Sequence, residues 1–134
     1  MTLDFIPCDH AFSGAYDYDR QGPDVFNITE NAFLYVEKAV SLHHPNWDVG
    51  YHWGVSWLPR DIWISILDSL NAVKVDVEAG VRPTILIDRH VLYPTMFHKV
   101  GPLNRRSLLR FLNEFDARVR ALIEQYPYLI IGGY

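Results

Sequence analysis

The chain has 134 residues, of which 49% are hydrophobic and 14% aromatic, and its formal net charge is −4. This composition supplies enough apolar surface for one hydrophobic core and excludes an intrinsically disordered chain. The single cysteine excludes an intrachain disulfide, and no apolar run reaches the roughly 20 residues that a membrane-spanning helix needs. We therefore expect one domain over residues 1–134, a cytoplasmic location and no membrane partner.

The first third of the chain is predicted to hold a strand, a loop and a helix. Residues 3–8 favour a short strand, and the turn-rich residues 9–24 favour a loop. Asn27 and Glu30 have the spacing of a capping box, which predicts that a helix begins there. That helix should end before Pro45, because a residue preceding proline is disfavoured in the helical conformation.

Residues 49–58 alternate between large apolar side chains and small or polar ones, which is typical of a strand. We expect the large side chains, including Trp53 and Trp57, to face the core. The opposite face includes Ser56 and Leu58 and carries little bulk, so a helix or a ligand must cover it. Of these two, packing by a helix is favoured.

Apolar side chains at helical spacing predict two further helices, one starting at Pro59 and one ending before Pro127. Residues 73–80 fit either a helix end or a short strand. Residues 83–88 favour a strand, residues 89–102 a loop, and residues 128–134 a final strand. The chain is thus predicted to be an α+β fold, with three helices packed on a short, largely antiparallel sheet.

Charge is distributed unevenly along the chain. Residues 1–67 carry nine acidic and three basic side chains, for a net charge of −6, whereas residues 68–134 have a net charge of +2. Within the acidic half, the predicted loop combines carboxylates with tyrosines, which offer a large contact area at low entropic cost. We expect Tyr16, Asp17, Tyr18, Asp19 and Asp24 to bind a basic protein partner, unless the loop is acidic only for solubility. The corresponding function is a non-enzymatic protein-binding module, of which a toxin-immunity or inhibitor protein is one form.

Two alternatives belong to other classes. The first is a small-molecule-binding protein or small hydrolase-like enzyme, with a pocket around His52 and with Ser56, Asp88 and His90 as further ligand-binding residues. The second is a structural subunit that acts through self-association as a homo-oligomer. A thermal-shift screen and sedimentation distinguish these two from the first hypothesis.

Several kinds of site are not expected. The chain has no glycine-rich phosphate or dinucleotide motif, and its lysines and arginines do not form the cluster that nucleic acids require. The histidines within residues 43–52 do not match a zinc-binding spacing. Cys8 and His10 would share one face of a strand, but an acidic neighbourhood disfavours a reactive thiolate. We therefore expect no catalytic residue, no metal ion, no cofactor and no nucleic-acid partner.

Overall fold

The structure is a computed structural model that describes residues 2–11, 22–44, 47 and 55–133. Its strands form one four-stranded sheet and are β1 (Thr2–Cys8), β2 (Phe26–Thr29), β3 (Val55–Pro59) and β4 (Tyr128–Gly133). The order is β2-β1-β4-β3, and each neighbouring pair is antiparallel. The first and last strands are therefore central, and β2 and β3 form the edges. This confirms the α+β class and the antiparallel sheet.

Three long helices account for most of the helical residues: α1 (Glu30–His43), α2 (Arg60–Glu78) and α5 (Arg105–Gln125). Between the last two lie the short helices α3 (Pro83–His90) and α4 (Phe97–Val100), the latter preceded by a 3-10 turn at Pro94–Met96. The described residues thus contain five α-helices where the sequence predicted three. The strand predicted at residues 83–88 is wrong. Pro83 lies in the first turn of α3, a position where its missing N–H is not needed.

The predicted apolar stripes of α2 and α5 are confirmed. Every member of the α2 stripe is buried, namely Trp63, Ile66, Leu67, Leu70 and Val73. The Trp63 indole N–H also donates a hydrogen bond of 3.0 Å to the carbonyl of Leu129, which ties α2 to β4. α2 extends to Glu78, so residues 73–78 are the end of this helix and not a separate strand.

The sheet buries apolar side chains on both faces. One face packs on the helices and includes Leu3, Phe5, Leu58, Leu129 and Ile131. On the opposite face Ile6, Cys8 and Ile130 are buried, and the partly buried side chains packed on them are Val25, Val55, Trp57 and Tyr128. Central strands covered on both faces have nearly continuous apolar sequences, as residues 129–131 do.

The predicted orientation of β3 is wrong. Ser56 and Leu58 face the helices and are 4% and 2% exposed, while Val55 and Trp57 lie on the opposite face and are half-buried. The alternation of large and small side chains along β3 shows that the two faces of the strand differ. It does not show which face the helices cover, because both faces of this sheet bury apolar groups. Trp53 and the rest of residues 49–54 lie outside the described residues.

The start of α1 also differs from the prediction. Asn27 lies within β2, and α1 begins only at Glu30 after Thr29, so the predicted capping box does not form. β2 was not predicted, because its four residues coincide with that apparent helix start. Glu37 of α1 is fully buried although it is acidic, and it accepts a 2.9 Å hydrogen bond from the Trp47 indole N–H.

Candidate functional site

A groove runs between β2 and α5 and encloses about 710 Å³, a volume within the range of roughly 300–1,000 Å³ typical of ligand sites. Its walls come from the edge strand, the first turn of α1 and the first two-thirds of α5. The lining residues are Phe26, Asn27, Ile28, Thr29, Ala32, Leu103, Ser107, Phe111, Glu114, Phe115, Ala117 and Arg118.

The floor of this β2–α5 groove is aromatic and is fixed to the core. Phe26 stacks on the fully buried Phe5 with ring centroids 5.0 Å apart and planes 13° apart. Phe115 meets the same Phe5 ring edge-on at 5.3 Å, and Phe111 packs on Phe115 at 5.5 Å. Such ring pairs contribute about 0.5–1.5 kcal/mol each beyond simple burial. The floor is therefore held in place by the protein's own packing.

The α5 side of the groove carries one pair of opposite charges. Glu114 and Arg118 are exposed and lie one helical turn apart, so together they add no net charge. The Arg118 guanidinium lies 4.8 Å from the centroid of the Phe26 ring, a cation–π distance. Ala117 is also exposed and lines the groove between them. The apolar character of the groove thus comes from its floor, and its rim is electrically balanced.

The outer edge of β2 forms the other side of the groove. β2 pairs with β1 on one side, and no other strand of the described residues pairs with it. Because backbone polar groups point alternately to the two sides of a strand, half of those of β2 point away from β1. Edge strands are commonly protected by proline or lysine, and β2 contains neither, whereas the other edge strand ends at Pro59. Within the part of the chain that the structure describes, the edge beside the groove is therefore the less protected of the two.

Of the predicted partner-binding residues, Tyr16, Asp17, Tyr18 and Asp19 lie outside the described residues. Asp24 is described, is half-buried, and accepts a 2.9 Å hydrogen bond from the Tyr126 hydroxyl. This hydrogen bond to a carboxylate raises the pKa of Tyr126 above its ordinary value. Asp24 precedes Phe26 by two residues, so the acidic segment leads directly into the Phe26 end of the β2–α5 groove.

The structure does not bring the described residues of the alternative pocket together. His52 lies outside the described residues. Ser56 is buried against the helices, where no described residue offers its Oγ a hydrogen bond. Asp88 is exposed on α3, and His90 donates from Nε2 to Asp76 Oδ2 of α2 at 2.7 Å. That hydrogen bond lowers the pKa of Asp76. The ion pair with a second α3 residue, Arg89, acts in the same direction.

A second group of polar side chains lies where β1 ends. His10 donates from Nδ1 to Asp9 Oδ1 at 2.7 Å, which lowers the pKa of Asp9. Cys8 Sγ lies 3.6 Å from the same Nδ1 and 3.8 Å from Nε2 of His10. The Trp57 indole N–H donates to the backbone carbonyl of His10 at 3.3 Å. The thiol and imidazole are thus adjacent, although β1 ends at Cys8 and His10 lies beyond it, so they do not share a strand face as the sequence predicted.

Comparison with known proteins gives no functional information: no family model, no curated protein and no solved structure matches the chain. None of the helices in the described residues combines the length and apolar character that crossing a membrane requires.

The β2–α5 groove was not predicted from the sequence. Phe111 and Phe115 belong to the apolar stripe that predicts the last helix, and Asn27 lies at the predicted start of the first helix. In the structure Phe111 is only half-buried, at the margin of that stripe. Phe26, the distant ring partner of Phe115, cannot be inferred from local periodicity.

Proposed function

We propose that this chain is a non-enzymatic protein-binding module that holds an extended segment of a basic partner protein in the β2–α5 groove. The observation that carries the proposal is the outer edge of β2, which pairs with no other strand of the described residues and runs along a groove with an aromatic floor. An extended segment that adds to a sheet edge gains affinity from main-chain hydrogen bonds and specificity from pockets for alternate side chains. β2 and the groove offer these two elements side by side.

The dimensions define the bound segment. The four residues of β2 span about 13 Å at about 3.3 Å per residue, which suits four or five residues of a partner strand. Alternate side chains of that strand would point toward Phe26, Phe111 and Phe115. Apolar residues at alternate positions are therefore the expected sequence of its central part.

Charge complementarity supports a basic flank on the bound segment. The groove itself is balanced, but Asp24 lies just before its Phe26 end, and residues 1–67 have a net charge of −6. Carboxylates at the margin of a binding surface mainly accelerate encounter with a cationic partner, while buried apolar contacts mainly slow dissociation. The two parts of the site should therefore affect different rate constants. An immunity or inhibitor protein that covers a basic toxin is one form that such a module takes.

The proposal is tested with a phage-displayed library of random peptides selected on the immobilised chain. We expect the selected peptides to combine alternating apolar residues with lysine or arginine on one flank. A synthetic selected peptide should then bind Ala117→Arg at least tenfold more weakly than the wild-type chain. Ala121→Arg is the matched control, because Ala121 is exposed one turn further along α5 and does not line the groove. Equal binding by both variants contradicts the groove as the binding site.

The contributions of the acidic segment and of the groove can be distinguished by measuring the association and dissociation rates of the peptide. Charge reversal at Asp17 and Asp19 should lower the association rate of the peptide and weaken its dependence on salt, with little change in the dissociation rate. Unchanged association would show that the acidic segment takes no part. Sedimentation of the chain alone tests occupation of the groove by a second copy, and self-association abolished by Ala117→Arg would favour that reading over a separate partner.

A further inference from the structure

We infer, on the basis of the function proposed above, that the bound segment runs antiparallel to β2 and carries its basic residues on the C-terminal side of its apolar stretch. The two ends of the β2–α5 groove carry opposite charges. The direction of the added strand decides which flank of the partner segment meets which charge.

The start of β2 lies beside the C-terminal part of α5. The ring centroids of Phe26 and Phe115 are 6.2 Å apart. Two residues before Phe26, Asp24 accepts its hydrogen bond from Tyr126, the residue that follows α5. One end of the groove is thus marked by Asp24 and by the end of α5.

The end of β2 lies beside the N-terminal part of α5. Thr29 is three residues beyond Phe26, or about 10 Å at about 3.3 Å per residue. The eight residues from Phe115 back to Ser107 cover a similar length, about 12 Å at about 1.5 Å per residue. Thr29, Ser107 and Leu103 all line the groove. β2 and α5 therefore run in opposite directions along it.

The Asp24 end of the groove is acidic. Asp24, through its hydrogen bond and its charge, and Asp9, through its charge, raise the pKa of Tyr126 above its ordinary value. Two carboxylates therefore act at this point, and Asp17 and Asp19 precede them closely in the sequence of the same segment. A cationic flank of a bound segment is attracted to this end.

The Ser107 end of the groove is basic. Arg106 and Arg110 are exposed. Arg110 follows Ser107 by three residues and precedes Glu114 by four, so it lies on the side of α5 that lines the groove. Glu30, the first residue of α1, adds one negative charge. Among the described residues, positive charges thus exceed negative ones at this end, and a cationic flank is repelled there.

The sheet favours one direction for the added strand. All neighbouring strands of the described sheet are antiparallel, and antiparallel pairs are slightly more stable per residue than parallel ones. A segment antiparallel to β2 has its C-terminal flank at the Asp24 end. The two ends are more than about 10 Å apart, whereas salt screens exposed charges over about 8 Å at physiological ionic strength. Each flank therefore responds mainly to its own end, which favours lysine or arginine after the apolar stretch and disfavours them before it.

Two capped peptides test the direction. Both contain the same apolar stretch, taken from a peptide selected on the chain, with two lysines either after it or before it. At low salt the peptide with the lysines after the stretch should bind about 3- to 10-fold more tightly, since each exposed charge pair contributes little. In high salt this difference should shrink to less than about twofold. A nitroxide at the C-terminus of the bound peptide should broaden the amide signals of Asp24 and Phe26 more than that of Ser107.

A variant of Arg110 tests the contribution of the basic end. Arg110→Glu should strengthen binding of the peptide with the lysines before the stretch by about 2- to 5-fold, and so reduce the difference between the two peptides. Lys74→Glu is the matched control, because it makes the same change of charge in the cleft on the other side of α5, beside Asp116 and Arg120. It should leave the difference unchanged. Equal effects of the two variants overturn the role of the basic end.

Failure of the direction and failure of the groove give different results. Peptides that bind Ala117→Arg more weakly than wild type but show no preference between the two lysine positions at low salt overturn the inferred direction and leave the groove as the binding site. Stronger broadening of Ser107 than of Asp24 by the C-terminal nitroxide has the same meaning. A selection that yields no binding peptide, or peptides that bind Ala117→Arg as tightly as wild type, overturns both.

Discussion

Replacing Ser56 by alanine should stabilise the protein. Ser56 is 4% exposed on the helix-covered face of the sheet, and its Oγ has no hydrogen-bond partner among the residues that the structure describes. A buried hydroxyl left unsatisfied costs about 1–3 kcal/mol, and deletion of the oxygen also removes some packing contacts. We therefore expect Ser56→Ala to raise the free energy of unfolding by about 0.5–2 kcal/mol.

The assay is reversible thermal or urea unfolding at neutral pH. At about 2.1 cal/mol/K per residue, a chain of 134 residues has an unfolding entropy of about 0.28 kcal/mol/K. Each kcal/mol gained should therefore raise the melting temperature by about 3.5 °C.

A matched control is Ser69→Ala. The Ser69 Oγ is joined to His43 Nε2 by a hydrogen bond of 2.7 Å, so this variant should lose about 0.5–1.5 kcal/mol. Destabilisation of Ser56→Ala by as much as Ser69→Ala would refute the reasoning, because it would show that the Ser56 hydroxyl is hydrogen-bonded. It would also call into question the orientation of β3.

Three further predictions concern packing and pH. Leu58→Ala should lower the free energy of unfolding by about 2–5 kcal/mol in urea titrations, because Leu58 is 2% exposed in the helix-covered core. The pKa of Asp76 is lowered by His90 and Arg89, so its contribution to stability is complete above an ordinary aspartate pKa and is lost as pH falls through the lowered value. Between these two pKa values, urea titrations should therefore show a smaller loss of unfolding free energy for Asp76→Asn than for the wild-type chain. Burial lowers the pKa of His44, so stability should fall as pH drops below the ordinary histidine pKa of 6.5, and unfolding of His44→Phe should lack this dependence.

The elements predicted correctly are those whose apolar pattern is long and is compatible with only one kind of secondary structure. The α5 stripe runs from Leu108 to Ile123 and fits only a helix. Residues 83–88 show why short patterns fail: Ile85 and Ile87 alternate as in a strand, yet the segment forms a two-turn helix with Leu86 buried. β2 was not predicted for the same reason. Its four residues are too few to show a strand pattern, and Asn27 and Glu30 have the spacing of a helix capping box.

The candidate site depends on contacts that local patterns do not encode. Phe26 and Phe115 are 89 positions apart in the sequence, and their ring centroids lie 6.2 Å apart because β2 and α5 meet at one edge of the sheet. Charge asymmetry, by contrast, is a property of composition and is visible without a structure. The sequence therefore suggested a charged partner, but not the apolar groove beside the acidic segment.

The most direct test of the central claim, that a partner segment pairs with the edge of β2, uses N-methylated versions of a selected peptide. In an antiparallel pair, only alternate residues of the added strand donate their N–H groups to β2. Methylating two such amides should weaken binding by about 5- to 150-fold, at about 0.5–1.5 kcal/mol for each hydrogen bond. Methylating the two intervening amides should leave the affinity nearly unchanged. Equal effects of the two methylation patterns would contradict strand addition at β2.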